Sequence, residues 1–233
     1  MTCTGSIAAI FGALTLISGE ATVIGTTGDF PPFTHLDATG QVAGLDPDIG
    51  NELCRRLTLT CQWEVTTFDQ LIPGVMAGEY DFVIGGMASS DERARLVDFT
   101  TDYQTSEGDD DFVGRPGAPP PDAALIGVQS GTIHERHLAK TGRRYQTFAT
   151  QTDTIAALGA GSVDLIFGSF SATVTSQQLT DAGFAYLYAE PAGADGPAIA
   201  VCKGNTELLL RLDAALKDML TDGTIDAFSA RWE

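Results

Sequence analysis

The sequence predicts an α/β protein of two doubly wound lobes joined by a two-segment hinge. Three observations lead there. Short apolar runs alternate with helix-patterned stretches in a β-α-β-α-β order, and that order occurs twice. A Gly/Pro-rich stretch, 114–122, follows the first run. The 233 residues are enough for one large domain or two small ones, each with a core. The expected first lobe holds 22–104 plus 197–233, and the second holds 110–192. The hinge is expected near 105–109 and 193–196, with a ligand between the lobes.

Thr22 to Thr26 reads as a short strand that Thr27-Gly28-Asp29 turns out of. Phe30-Pro31-Pro32-Phe33 is a stiff segment bearing two aromatics, because proline fixes φ and biases its predecessor toward extended geometry. Asp37 to Gly40 is a turn. Asp48 to Leu57 carries Ile49, Leu53 and Leu57 at helical spacing. Gln62 to Val65 is a strand, and Phe68 opens a helix that ends near Gly78. After the Gly/Pro stretch, strands are expected at 124–129, 145–148, 163–167, 185–188 and 198–202. Helices are expected at 133–140, 152–160, 171–180, 207–221 and 224–232. No strand is expected over 98–113. The acidic run Asp109-Asp110-Asp111 reads as a solvated loop.

The stretch Glu79 to Asp98 organises the rest. Phe82-Val83-Ile84 has the pattern of a buried strand, and Gly85-Gly86 lets backbone come close to backbone or ligand. Ser89-Ser90-Asp91 supplies N-cap candidates for a helix with Arg93 just inside its first turn. A cation is disfavoured at a helix start unless an anion rests there. A guanidinium holds a carboxylate with two parallel hydrogen bonds, so Arg93 is a candidate anion clamp. The competing reading is a surface arginine paired with Glu92 or Asp91. Thr27, Phe30, Phe68, Gly86 and Arg93 all follow strands or open helices, and in such sheets ligands sit beyond the carboxyl ends of strands.

The net charge of −18, from 31 acidic and 13 basic residues, argues against nucleic acid or an anionic membrane surface as partner. Residues 7–17 are apolar but too short to span a bilayer. With the small residues at 18–21 they read as an export signal cleaved after Ala21, although no Lys or Arg precedes them. In an exported protein Cys54 and Cys61 form a plausible disulfide, while Cys202 stands apart. No CxxC or zinc spacing appears, and His134-Glu135-x-His137 reads as a polar helix start rather than a metal site. No cofactor is expected.

Several segments taken in order resemble the periplasmic solute-binding proteins of ABC importers, family 3, the polar amino-acid class. They are GTTGDFPPF (25–33), GLDPDIGNELCRRL (44–57), FDQLIPGVMAGEYDFVIGGM (68–87), DERARLVDFT (91–100), GVQSGT (127–132), ALGAGSVDLIFG (157–168) and DGTIDAFSARW (222–232). The Cys54/Cys61 spacing is similar to that of the lysine/arginine/ornithine and histidine binders, which carry a disulfide there. The resemblance implies a type II periplasmic binding protein-like fold. It implies a monomer that captures a small carboxylate-bearing ligand in the periplasm and delivers it to an ABC permease. It also implies roles by position. Phe30 and Phe68 sandwich the ligand, Arg93 grips its α-carboxylate, and Thr132 adds a hydroxyl and helix-start N–H groups. Gly86, beside Gly85, offers a carbonyl to the ligand ammonium, and Ile133 and His134 lie near the side-chain end.

Three positions depart from the family's pattern. Ser169 stands where an aspartate usually pairs with the ligand ammonium. Ala88 replaces a serine. Thr27 replaces the aspartate that basic-amino-acid binders use for the ligand side chain, which argues against lysine, arginine or ornithine. Either the ligand lacks a primary ammonium, or another acid takes over, with Asp109, Asp110, Asp111, Glu190 and Asp195 as candidates. Two other functions compete. A periplasmic enzyme similar to cyclohexadienyl dehydratase shares the TTGD segment, but no positioned general acid or nucleophile–base pair is evident. A sensor input domain would need a membrane anchor, and the chain ends soon after its last helix. The expectation is a binding protein and not an enzyme.

Overall fold

The computed structural model describes residues 21–105, 110–172, 174–193 and 195–232. The leader expected over 1–21 lies, but for Ala21, outside the described residues, as does Asp109.

Two five-stranded sheets form the two lobes. The first is ordered Cys61–Val65, Thr22–Thr26, Phe82–Val83, Ala200–Cys202, Val97–Phe99. The second is ordered Tyr145–Phe148, Ile126–Gln129, Leu165–Gly168, Asp110–Gly114, Ala185–Glu190. Neither is wholly parallel. In each, one strand runs against the other four, and it is the strand the chain enters after crossing between lobes: Asp110–Gly114 and Ala200–Cys202. A small three-stranded sheet, Asp29–Phe30, Thr34–Leu36 and Val42–Ala43, buttresses the first lobe.

Adjacent strand residues feed opposite faces, as the period of two requires. Phe82 and Val201 enter one core, with Leu53, Leu212 and Leu216 from the helices Leu45–Leu57 and Thr206–Thr221. Val83 and Ala200 enter the other, under Leu71 and Val75 of the helix Phe68–Ala77. In the second lobe Phe112 packs with Leu138 of the helix Ile133–Thr141, while Val113 packs with Leu158 of the helix Gln151–Gly159. Cys54 and Cys61 are joined in a disulfide linking the first long helix to the following strand.

Two expectations are overturned. The acidic run is not a solvated loop over its described part. Asp110–Gly114 is a strand paired on both sides, with Phe112 and Val113 fully buried. Its acids are tolerated because donors meet them: Ser171 N donates to Asp111 at 2.8 Å. The helix expected after Ser89-Ser90-Asp91 is only one 3-10 turn, Arg93–Arg95. The strand Val97–Phe99 begins two residues later and leaves no room for more. A third difference lies on the second lobe. The helix expected over 171–180 is split into a 3-10 turn, Phe170–Ala172, and the helix Ser176–Asp181.

Candidate functional site

A narrow cleft opens between the lobes. Its lobe-one wall comes from chain just past strand ends: Thr27, Phe30, Phe68, Gly86, Ala88 and Arg93. Its lobe-two wall comes from the same topological level: Gln129, Thr132, Ile133, His134, Gln151, Thr154, Phe167, Gly168, Ser169 and Phe170. Of the expected site residues only Gly85 stands back from the cleft. A Cβ there would meet Leu71 at 3.2 Å. Gln129, Gln151, Thr154, Phe167, Gly168 and Phe170 were not anticipated. Gln129 ends a strand and Gln151 opens a helix, so the strand-end rule applied to lobe two points to both.

Among the described residues, Arg93 is the only arginine or lysine in the wall, and no Asp or Glu lines it. The Arg93 side chain is not a surface group paired with Glu92. The residue is 6% exposed, and Glu92 instead pairs with Arg136 at 3.0 Å. The guanidinium donates to Ala88 O at 2.7 Å and, across the cleft, to Gly131 O at 2.9 Å. It also lies 5.3 Å from the centroid of the Phe68 ring. Two of a guanidinium's five donors are thus committed to carbonyls, leaving three. Burial, with Arg136 nearby, pulls its pKa down to about 10. No carboxylate among the described residues forms an ion pair with it.

Thr132 caps the helix Ile133–Thr141, its Oγ1 accepting from Glu135 N at 3.2 Å while donating to Gln129 O at 2.7 Å. That hydrogen is therefore committed, contrary to the expectation that the hydroxyl itself donates to a ligand. With Glu135 N taken by the cap, what the helix start retains are the N–H groups of Ile133 and His134, which have no i−4 carbonyl within the helix. Phe30 stacks on Phe33 at 5.1 Å and nearly parallel. Gly86 adopts φ +60°, and a Cβ on it would sit 2.7 Å from the Phe30 ring. Its N–H donates to Asp46 Oδ2 at 2.6 Å, and Tyr103 donates to Asp46 Oδ1 at 2.8 Å. Burial raises the Asp46 carboxyl to about 7 against those two bonds.

On the second lobe Ser169 and His134 share a carboxylate. Ser169 Oγ donates to Asp110 Oδ1 at 2.8 Å, and His134 Nε2 lies 2.7 Å from that same oxygen. Ala192 N donates to Oδ2 at 3.1 Å. Burial works to raise the Asp110 carboxyl, but His134, Ser169 and Ala192 outweigh it and hold it below its ordinary value. Serine, histidine and aspartate together suggest a nucleophile. The geometry does not supply one: Asp110 and Ser169 approach the same ring nitrogen, the latter at 3.4 Å, and the serine proton goes to the carboxylate. A relay needs the acid and the hydroxyl on opposite nitrogens. Among the other candidate acids, Glu190 binds His137 and Arg143, while Asp195 lines a separate groove with Arg95 and Arg136. His134 is buried, not on an exposed polar helix start, and no group of three or more His, Cys, Asp or Glu among the described residues is placed to hold a metal.

Three further contacts close the cleft. Asp29 Oδ2 accepts from Gln151 N at 2.8 Å, Glu92 meets Arg136, and Gly131 lies against Asp69, where a Cβ would be 2.8 Å away.

Comparison with known proteins agrees with this architecture. The family model for bacterial extracellular solute-binding proteins, family 3, matches residues 22–120 and 128–233. The L-arginine-binding protein of Pseudomonas aeruginosa is 32% identical over 216 residues, spanning 86% of this chain and 83% of its own. The lysine/arginine/ornithine-binding periplasmic protein of Escherichia coli is 27% identical over 229 residues, spanning 91% and 87%. A periplasmic His/Glu/Gln/Arg/opine family-binding protein from Silicibacter pomeroyi, solved in complex with lysine, superposes with a TM-score of 0.83 at 30% identity, covering 91% of this chain and 96% of that one.

Proposed function

Since the chain belongs to the bacterial extracellular solute-binding proteins, family 3, we propose that it captures a small carboxylate-bearing, amino-acid-like solute between its lobes and delivers it to an ABC permease. The observation that carries this reading is the state of Arg93. A buried guanidinium with no ion-pair partner, in a cleft wall whose described residues include no Asp or Glu, is a charge that is costly until an anion arrives. Its three remaining donors and the N–H groups opening at Ile133 are what a carboxylate requires. Phe30 and Phe68 supply flat apolar faces for the rest of the solute.

The relatives named above bind arginine or lysine. In this chain Thr27 and Ile133 line the cleft without a carboxylate, which favours a solute whose side chain is not strongly cationic. On this reading 22–104 with 197–233 moves against 110–192 about a hinge near 105–109 and 193–196, of which 106–109 and 194 lie outside the described residues. The protein acts as a monomer in the periplasm and catalyses nothing. The shared nitrogen in the Ser169–His134–Asp110 group supports the last point. No helix among the described residues is long and apolar enough to cross a membrane.

The test is a thermal-shift and calorimetric panel of the standard amino acids with their 2-hydroxy, keto and N-acyl analogues and their α-carboxamides. A ligand at a hundred times its Kd adds about 2.7 kcal/mol to stability. Carboxylate-bearing compounds are expected to raise the melting temperature, and their amides are not. An amide binding as well as its acid would overturn the reading.

A further inference from the structure

We infer that Asp110 supplies the negative charge for a ligand ammonium, presented to the cleft through the hydroxyl of Ser169. The inference rests on the carboxylate-capture reading and names the second group that the solute carries, an amine.

The argument is one of donors and acceptors. An ionised carboxylate only accepts, so the Ser169 hydrogen, 2.8 Å from Asp110 Oδ1, is spent on it. Ser169 lines the cleft, and what its Oγ has left to offer there is lone pairs. A hydroxyl that donates to an anion is also a stronger acceptor, since hydrogen bonds in a chain polarise one another. The partner such an oxygen selects is a donor, best a cationic one. His134 does not compete for this role. Its Nε2 faces the same Asp110 Oδ1 at 2.7 Å and holds the carboxylate in place. Ala192 N fixes the other oxygen at 3.1 Å. Asp110 is thus held from three sides beside Ser169, but it is not itself in the cleft wall.

The cleft otherwise has the opposite sign. Among the described residues of its wall Arg93 is the one fixed charge, and no acid is present. A zwitterion entering there meets a cation for its carboxylate and needs an anion for its ammonium. Ser169 backed by Asp110 meets that need. Asp110 acts as a positioning and charge-supplying residue and does not touch the solute.

The competing account makes Asp110 a pin that ties its strand to His134 and to Ala192. Titration calorimetry on the full chain separates the two. The probes are L-arginine, L-glutamine and L-histidine, each paired with its 2-hydroxy acid, in which the ammonium becomes a hydroxyl. Asp110→Asn is expected to weaken the amino acids about tenfold or more and to change the hydroxy acids by no more than about twofold, whereas Ser169→Ala, which removes the accepting oxygen itself, is expected to weaken both classes and the amino acids more. Asp110→Asn combined with Ser169→Asp, which places a carboxylate directly in the wall, is expected to restore amino-acid binding. Equal losses for both probe classes, or no loss in either variant, would overturn the inference. A wild-type protein that binds hydroxy acids as tightly as amino acids would overturn it too, while carboxylate capture stands. A wild-type protein that binds neither class overturns the functional reading and this inference with it.

Discussion

Arg93 of the first lobe donates a hydrogen bond to the carbonyl of Gly131 on the second, 2.9 Å away across the cleft. The proposed anion clamp is therefore also a contact between the lobes. Loss of the side chain removes a partner for the solute and a strut between the lobes together. Arg93→Ala is expected to weaken carboxylate binding by about 3–5 kcal/mol, and Arg93→Lys by nearly as much, because a point charge lacks the planar fork. Calorimetry measures both. An Arg93→Lys variant within about threefold of wild type would refute the bidentate role.

Asp29 reaches from lobe one to Gln151 N, at the start of a lobe-two helix, without lining the cleft. Burial raises its pKa, and the bond from Gln151 N works against that rise. Asp29→Ala is expected to lower the population of the closed form and so reduce apparent affinity several-fold with ligand contacts unchanged. Small-angle scattering of the ligand-free variant should show a larger radius of gyration than wild type.

Gly86 cannot be replaced quietly. Its φ of +60° disfavours any Cβ, and the Phe30 ring stands 2.7 Å from where one would go. Gly86→Ala is expected to cost about 1–3 kcal/mol of stability and to displace Phe30 from the wall. Chemical denaturation and ligand titration would report the two effects separately.

The buried Asp46 makes stability fall with pH. Its carboxyl is raised to about 7 in the folded protein and lies near 3.9 when unfolded. Between those values the folded state binds more protons, so stability declines as pH rises from about 4 to about 7 and then levels. Asp46→Asn removes that slope while keeping an oxygen for Gly86 N–H. The melting temperature of Asp46→Asn minus that of wild type is expected to grow from pH 5 to pH 8. A difference independent of pH would contradict the assignment.

The Cys54–Cys61 disulfide closes a short loop with a sequence separation of 7. The chain-entropy estimate for such a loop is about 2–3 kcal/mol. Replacing both cysteines by alanine is expected to lower Tm by roughly 5–10 °C with ligand specificity unchanged.

Much of the site was legible because it depends on local chain chemistry. Gly85-Gly86 after an apolar run, Arg93 after a polar loop and Thr132 before an amphipathic helix are patterns within a few residues. The topological rule then places strand ends and helix starts on one rim. Ten of the eleven expected residues line the cleft for that reason. The exception, Gly85, shows the limit: of two adjacent glycines one lines the cleft and the other backs onto Leu71, a difference the local sequence does not carry.

The misses are non-local. Asp110-Asp111 reads as solvated because three consecutive acids resemble a surface run. Nothing within that window announces that Ser169, His134 and Ala192 arrive from 24 to 82 residues away to receive Asp110. Likewise Val97–Phe99 is a strand only because Ala200–Cys202 comes back to pair with it. The sequence by itself determined the family, the two α/β lobes, the disulfide spacing and the placing of Arg93 and Thr132 on the cleft rim, through periodicity and short motifs. Tertiary structure alone decided where each sheet reverses and which acid stands behind Ser169. It also decided that Arg93 bridges the lobes, because those features arise from contacts between segments whose local patterns carry no record of one another.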